Sequence, residues 1–244
     1  MDRTTRAIQR ASRSARRDNS YLEAKYLGQV ELSAKTLGKN KIINVDATNP
    51  VVDKYKVLRT RVLQLMREND WNIIGVTSPS SNTGKSVTAI NLAIAMALDA
   101  TQSVILLEAD LRNPSFAEKM GIPDGTGMVE YLNSVDDDFR NYLLATNYNN
   151  LRILCSEKAS IVSSEIFTSL KARRFMSELK GLPNTTVVCD LPPILVGDDV
   201  LAFSAYLDGI LMVVEDGKTK TSDLEQALSL IKKTPIIGTV LNKH

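Results

Sequence analysis

Short, continuously apolar runs recur along this chain, separated by stretches in which apolar residues return every three or four positions. Ile73, Ile74 and Val76 make the first run, followed by the turn-rich stretch 78–83 and an apolar helix over 87–98. Further strand-like runs lie at 103–107, 151–155, 185–189, 209–214 and 236–241. Runs of this kind, apolar on both sides of the pleat, belong to strands covered on both faces. Between them, 164–180 and 222–232 have helical spacing. The former stops at Gly181 and Pro183. The latter opens on a capping box, Ser222 and Glu225, and places Leu224, Ala227, Leu228 and Ile231 on one face. Upstream, 53–68 sets Leu58, Val62, Leu65 and Met66 at helical spacing, with Lys and Arg on the other faces. Strands alternating with helices predict an α/β fold, a three-layer sandwich around a mostly parallel central sheet. Ligands of such sheets bind at the carboxyl ends of the strands, where Ser78, Glu108, Asp110 and Asp190 all fall.

Residues 71–86 read as a strand running into a phosphate loop, with Gly84-Lys85-Ser86 opening the helix that follows. A triphosphate needs inward-facing backbone N–H groups, a cation on its outer phosphates and a hydroxyl for Mg²⁺. Gly84 permits close backbone approach, Lys85 supplies the charge and Ser86 the hydroxyl. The backbone of Asn82, Thr83, Gly84, Lys85, Ser86 and Val87 is the expected cradle. The first glycine of the usual G-x-x-x-x-G-K-[ST] pattern is missing, and Pro79 stands in its place. Carboxylates are needed to hold the metal's water shell and orient the attacking oxygen. Asp190 ends an apolar run, where it either supports a metal or caps the next turn. Glu108 and Asp110, two residues apart on an extended chain, are expected to aim at one point. Salt bridges, for example to Arg112, are the competing account of that pair.

The 244 residues, 43% of them apolar, suffice for one domain with a short extension. A net charge of +2 makes the whole molecule no polyanion binder, so no nucleic acid partner is expected. No apolar run approaches the roughly eighteen residues that cross a bilayer, and no signal peptide is visible at the N-terminus. Cys155 and Cys189 read as buried free thiols in a reducing compartment. The only histidine is His244, which excludes a Ser-His-Asp triad, Cys-His catalysis and a His-built metal site. Residues 1–20 are Arg-rich; Arg3, Arg6, Arg10, Arg13 and Arg17 would line one side of a helix if one formed. A solvated tail and a contact with anionic lipid or an acidic partner are both open. Residues 21–50 read as a linker or arm, giving a basic, flexible arm over 1–50 and a globular domain over 51–244.

The run 77–86, then Asn91-Leu92-Ala93, then 105–114 and 187–194 together resemble the bacterial tyrosine kinases, the P-loop ATPases of exopolysaccharide and capsule synthesis. The resemblance covers about residues 45–243 and implies a P-loop NTPase fold of the ParA-like kind, with ATP or ADP and Mg²⁺ as ligands. It implies Lys85 on the β- and γ-phosphates, Ser86 as a Mg²⁺ ligand, and Asp110 and Asp190 supporting the metal. Glu108 stands where the family usually has an aspartate that acts as base on the acceptor hydroxyl. Arg112 completes the second Walker motif, and Asn242 falls where related ATPases contact adenine. The family's oligomerisation pattern E-x-x-R-x-x-R is matched by Asp53, Lys56 and Arg59, which implies a homo-oligomer through that helix. A membrane-bound polysaccharide chain-length or co-polymerase partner is implied too, holding the chain at the cytoplasmic side of the bacterial inner membrane. The family's C-terminal tyrosine cluster is absent; the last tyrosine is Tyr206, and Tyr21 and Tyr26 are the substitutes in the arm. A tyrosine-kinase-like enzyme and a nucleotide-switched regulator that phosphorylates nothing therefore both stay open. A ParA/MinD-type positioning ATPase would carry a lysine at the place of Ser80.

Overall fold

The structure, a computed structural model, describes residues 27–44, 49–99, 101–123, 127–157 and 163–243. The arginines of the first twenty residues, Tyr21, Tyr26 and His244 lie outside the described residues. The chain opens with β1 (Gly28–Val30), α1 (Ala34–Lys39), α2 (Pro50–Glu68), β2 (Ile73–Thr77), α3 (Lys85–Ala97) and β3 (Ser103–Glu108). It continues through α4 (Phe116–Met120), α5 (Met128–Asn133), a 3-10 turn (Phe139–Tyr142), β4 (Leu144–Thr146) and β5 (Leu151–Leu154). The last part holds α6 (Ser163–Thr168), α7 (Leu170–Lys180), β6 (Thr185–Asp190), α8 (Asp199–Ser204), β7 (Gly209–Glu215), α9 (Thr221–Leu230) and β8 (Ile236–Asn242).

All eight strands join one sheet in the order β1-β4-β5-β3-β6-β2-β7-β8. Every pairing is parallel except β4 with β5, where Leu144 faces Ile153. Successive strand side chains point to opposite faces, and the two sides of the core divide accordingly. Ile73, Ile105, Leu107, Val187 and Cys189 meet α5 to α9, where Tyr131, Phe167, Phe175 and Phe203 fill the space. Ile74, Val104, Leu106 and Val188 meet α1 to α4. The expected three-layer α/β sandwich is thus the observed one. Helix α3 is apolar nearly all round and almost wholly buried, as a helix wedged between a sheet and a second helix must be. Helix α2 covers it. Asn49 caps α2 by accepting from Val51 N–H, and Pro50, at the first position, gives up no hydrogen bond.

Two expectations are corrected. Part of the stretch read as an arm belongs to the fold: β1 adds to the sheet beside β4, and Leu32, Leu37, Ile42 and Ile43 are buried. These elements are too short to show a period. The single helix expected over 164–180 is two, α6 and α7. Ser169 breaks it with extended backbone (φ −63°, ψ 154°), and its Oγ accepts from Ala172 N–H as the cap of α7. Cys155 and Cys189 are free and buried. No helix among the described residues is long and apolar enough to cross a membrane.

Candidate nucleotide site

Strand β2 lies between β6 and β7, and its carboxyl end feeds the bend 78–84. Leu195 N–H and Ile194 N–H donate to Pro79 O (3.1 Å) and Ser78 O (2.9 Å), and Thr77 Oγ1 donates to Pro192 O (2.7 Å). The segment after β6 therefore holds the entry of the bend, where Pro79 replaces the usual glycine. Asn82 (φ 62°) and Gly84 (φ 94°) are both left-handed. A left-handed turn running into a helix start forms a concavity of backbone N–H groups suited to an anion. A Cβ at Gly84 would come within 2.1 Å of Asn242 Nδ2. That amide reaches over from the end of β8 to donate to Thr83 O (2.8 Å), and Lys243 Nζ donates to Asn82 O. Lys243 is paired in turn with Glu215 (3.1 Å), the last residue of β7, which also pairs with Lys218 (2.7 Å). Asn242, expected at the base, is thus engaged with the bend itself.

Lys85, the first residue of α3, projects its ammonium between two carboxylates, Asp110 at 2.6 Å and Asp190 at 3.5 Å, and donates to Ser86 Oγ at 3.3 Å. Burial alone would lower the pKa of Lys85, but Asp190 and Asp110 outweigh it and hold the lysine above its ordinary value. Burial pushes the carboxyl of Asp190 up, against the pull of Lys85. Asp190 is 0% exposed, and neither of its oxygens accepts a hydrogen bond among the described residues; Thr83 Oγ1 is likewise buried without a partner. Buried polar groups in folded proteins are almost always satisfied. Asp190 Oδ2 and Thr83 Oγ1, buried without partners beside the bend, and Asp190 Oδ1, met by the Lys85 ammonium, fit a hydrated cation and phosphates. Among the described residues no cluster of three or more His, Cys, Asp or Glu could hold a metal ion. A Mg²⁺ here would share Ser86, Asp110 and Asp190 with a nucleotide, as that ion commonly does.

Glu108 corrects the expectation that it converges with Asp110. It is 1% exposed and engaged elsewhere, with Ser115 N–H and Phe116 N–H (2.8 Å) on Oε1 and Ser156 N–H (3.0 Å) on Oε2. The two-residue spacing puts side chains on one face only while the chain stays extended, and β3 ends at Glu108. Burial raises its pKa to about 7, against the three amides that favour the ionised form. Arg112 does not pair with Glu108 or Asp110. It binds Asp199 (2.5 Å), buried at the start of α8, with Asp198 farther off at 3.7 Å. Asp199 escaped the sequence reading, because nothing in Gly197-Asp198-Asp199 distinguishes the buried carboxylate from the exposed one. On α2, Asp53 and Lys56 form an exposed pair (3.0 Å), whereas Arg59 turns inward to Ala95 O (3.2 Å).

Comparison with known proteins places these features in a family. Residues 69–244 match the family described as ParA: NUBPL iron-transfer P-loop NTPase. Curated relatives include bacterial tyrosine-protein kinases. A putative tyrosine-protein kinase CapB of Staphylococcus aureus is 24% identical over 195 residues, covering 79% of this chain and 84% of that protein. Tyrosine-protein kinase YwqD of Bacillus subtilis is 25% identical over 192 residues, covering 78% and 80%. The succinoglycan biosynthesis transport protein ExoP of Rhizobium meliloti is 28% identical over 186 residues, 74% of this chain but 23% of that longer protein. Among solved structures, the chimerical protein CapA2B2 superposes with a TM-score of 0.76 at 23% identity, covering 94% of this chain and 99% of that one.

Proposed function

Because the chain belongs to the ParA family of P-loop NTPases, we propose that it binds ATP with Mg²⁺ and cleaves the terminal phosphoryl group. The observation that carries this reading is the buried Lys85 ammonium, shared by Asp110 and Asp190 beside the left-handed bend at Asn82 and Gly84. Backbone N–H groups of residues 82–87 would bind the phosphate chain, and Lys85 would exchange its carboxylate partners for phosphate oxygens. Such donors are already in place before charge develops, which is how a rigid site lowers a barrier. The chemistry a bound Mg²⁺ would supply is neutralisation of charge on the phosphates. Ser86, Asp110 and Asp190 are the residues to hold it, and their carboxylates would also orient the attacking oxygen.

The name of the relative ExoP, a succinoglycan biosynthesis transport protein, supports a setting in polysaccharide assembly; there the chain would bind at the inner face of a bacterial membrane through a chain-length or co-polymerase partner, as the resemblance implies. Water and a tyrosine hydroxyl both fit the machinery as acceptors. The engagement of Glu108 favours water, which makes a nucleotide-driven regulator of the same assembly the second reading. Wild type and Lys85→Met, incubated with ATP, Mg²⁺ and candidate partner domains, are to be assayed for phosphate release and phosphotyrosine. We expect Lys85→Met to lose at least about a hundredfold in turnover, since it removes the cation on the transferred group. Wild-type turnover in that variant overturns the site. Phosphotyrosine in wild type alone selects the kinase; phosphate release without it selects the regulator.

A further inference from the structure

Building on the reading above, we propose that Glu108 is a positioning residue that staples the 109–116 loop and the end of β5 to β3, and that it takes no proton from the phosphoryl acceptor. A general base must reach its proton directly or through one water. Glu108 is walled in at 1% exposure, and its carboxylate is committed to the N–H groups of Ser115, Phe116 and Ser156. Its own carbonyl accepts from Ser156 Oγ (2.7 Å), so one residue ties β3 to β5 twice.

The staple has a use. The chain leaves β3 at Glu108 and returns to the same carboxylate at Ser115 and Phe116. The intervening loop is closed at both ends by one side chain. Within it, Asp110 Oδ1 accepts from Asn113 N–H (3.1 Å) while Oδ2 meets Lys85, and Arg112 crosses to Asp199. Fixing the loop's two ends fixes where Asp110 stands against Lys85. The side chain must therefore be long enough to span both segments, and a glutamate reaches one methylene farther than the aspartate its position would otherwise suggest. The proton acceptor for any tyrosine must then be sought elsewhere than at Glu108.

Length and charge can be separated by two variants of the full chain. Glu108→Gln keeps the length and the Oε1 acceptor for Ser115 and Phe116, loses the Oε2 acceptor for Ser156 N–H, and has no basicity; Glu108→Asp keeps the basicity but cannot span. For each, kcat and KM for Mg–ATP are measured by phosphate release, with amide exchange at residues 115, 116 and 156 followed without nucleotide. We expect Glu108→Gln to keep kcat within about threefold of wild type with the larger change in KM, and Glu108→Asp to do worse in both, whereas loss of a general base costs roughly 10²–10⁴-fold in kcat. Exchange at the three amides should be slow in wild type and fastest in Glu108→Asp. The proposal is overturned by a kcat loss of about a hundredfold in Glu108→Gln with the Ser115 and Phe116 amides still protected, or by fast exchange of the three amides in wild type. The exchange arm needs no nucleotide, so it decides the staple even if wild type fails to bind ATP, which would instead refute the reading above. It also decides should either variant fail to fold.

Discussion

Position 84 is required to be glycine on two counts. Its φ of +94° is one that L side chains rarely adopt, and a Cβ would sit 2.1 Å from Asn242 Nδ2. Gly84→Ala must therefore displace Asn242 from Thr83 or distort the bend. We expect roughly 1–3 kcal/mol of lost stability and at least about a tenfold loss of nucleotide affinity, the equivalent of about 1.4 kcal/mol. Denaturant unfolding and titration calorimetry measure the two. Lys85→Met has a stability cost as well: it leaves Asp110 and Asp190 buried without their cation, a change that typically costs about 3–5 kcal/mol. Its activity assay is thus read beside a circular-dichroism spectrum. The sequence exposed Gly84, Lys85 and Ser86 because phosphate binding demands those residue types in adjacent positions. It did not expose Ser156 as a partner of Glu108 or Asp199 as the partner of Arg112, which lie 48 and 87 residues away.

Among the elements, α3 shows how one polar residue can be informative inside an apolar helix. Asn91 is buried, accepts from Ile43 N–H (2.9 Å) and donates to Lys41 O (3.2 Å). It pins the segment leading from α1 against α3. Asn91→Leu removes both partners of that segment at once. Leaving a buried backbone group unsatisfied costs about 1–3 kcal/mol, so a fall of that size is expected, with faster amide exchange at 42–43 than elsewhere in the core. Unchanged exchange there would refute the pin. The long, uniformly apolar strands and α3 itself were legible, because burial on both faces leaves no polar positions. Strands β1 and β4, three residues each, carry no such signal. The break at Ser169 was also hidden, since a serine caps a helix or sits within one according to its neighbours in space.

At the scale of the molecule, the sheet order brings the carboxyl ends of β3, β6 and β2 together, so Asp110, Asp190 and the bend meet although up to 113 residues separate 77 from 190. Parallel pairing could be inferred from the alternation of strands and helices; the antiparallel turn of β4 onto β5 could not. A ligand that binds only the folded state stabilises it by mass action. At a hundred times its dissociation constant, Mg–ATP adds about 2.7 kcal/mol. For a domain of this size the melting temperature then rises by roughly 5–11 °C. Scanning calorimetry should show that rise in wild type and none in Lys85→Met; an equal rise in both places the nucleotide elsewhere.

Strand β8 is the outermost of its side, with Leu241 56% exposed, yet its last residues grip Asn82 and Thr83. The rim of the molecule is thereby tied to the bend within two residues. An occupant of that margin would act on the proposed phosphate seat with almost no chain in between.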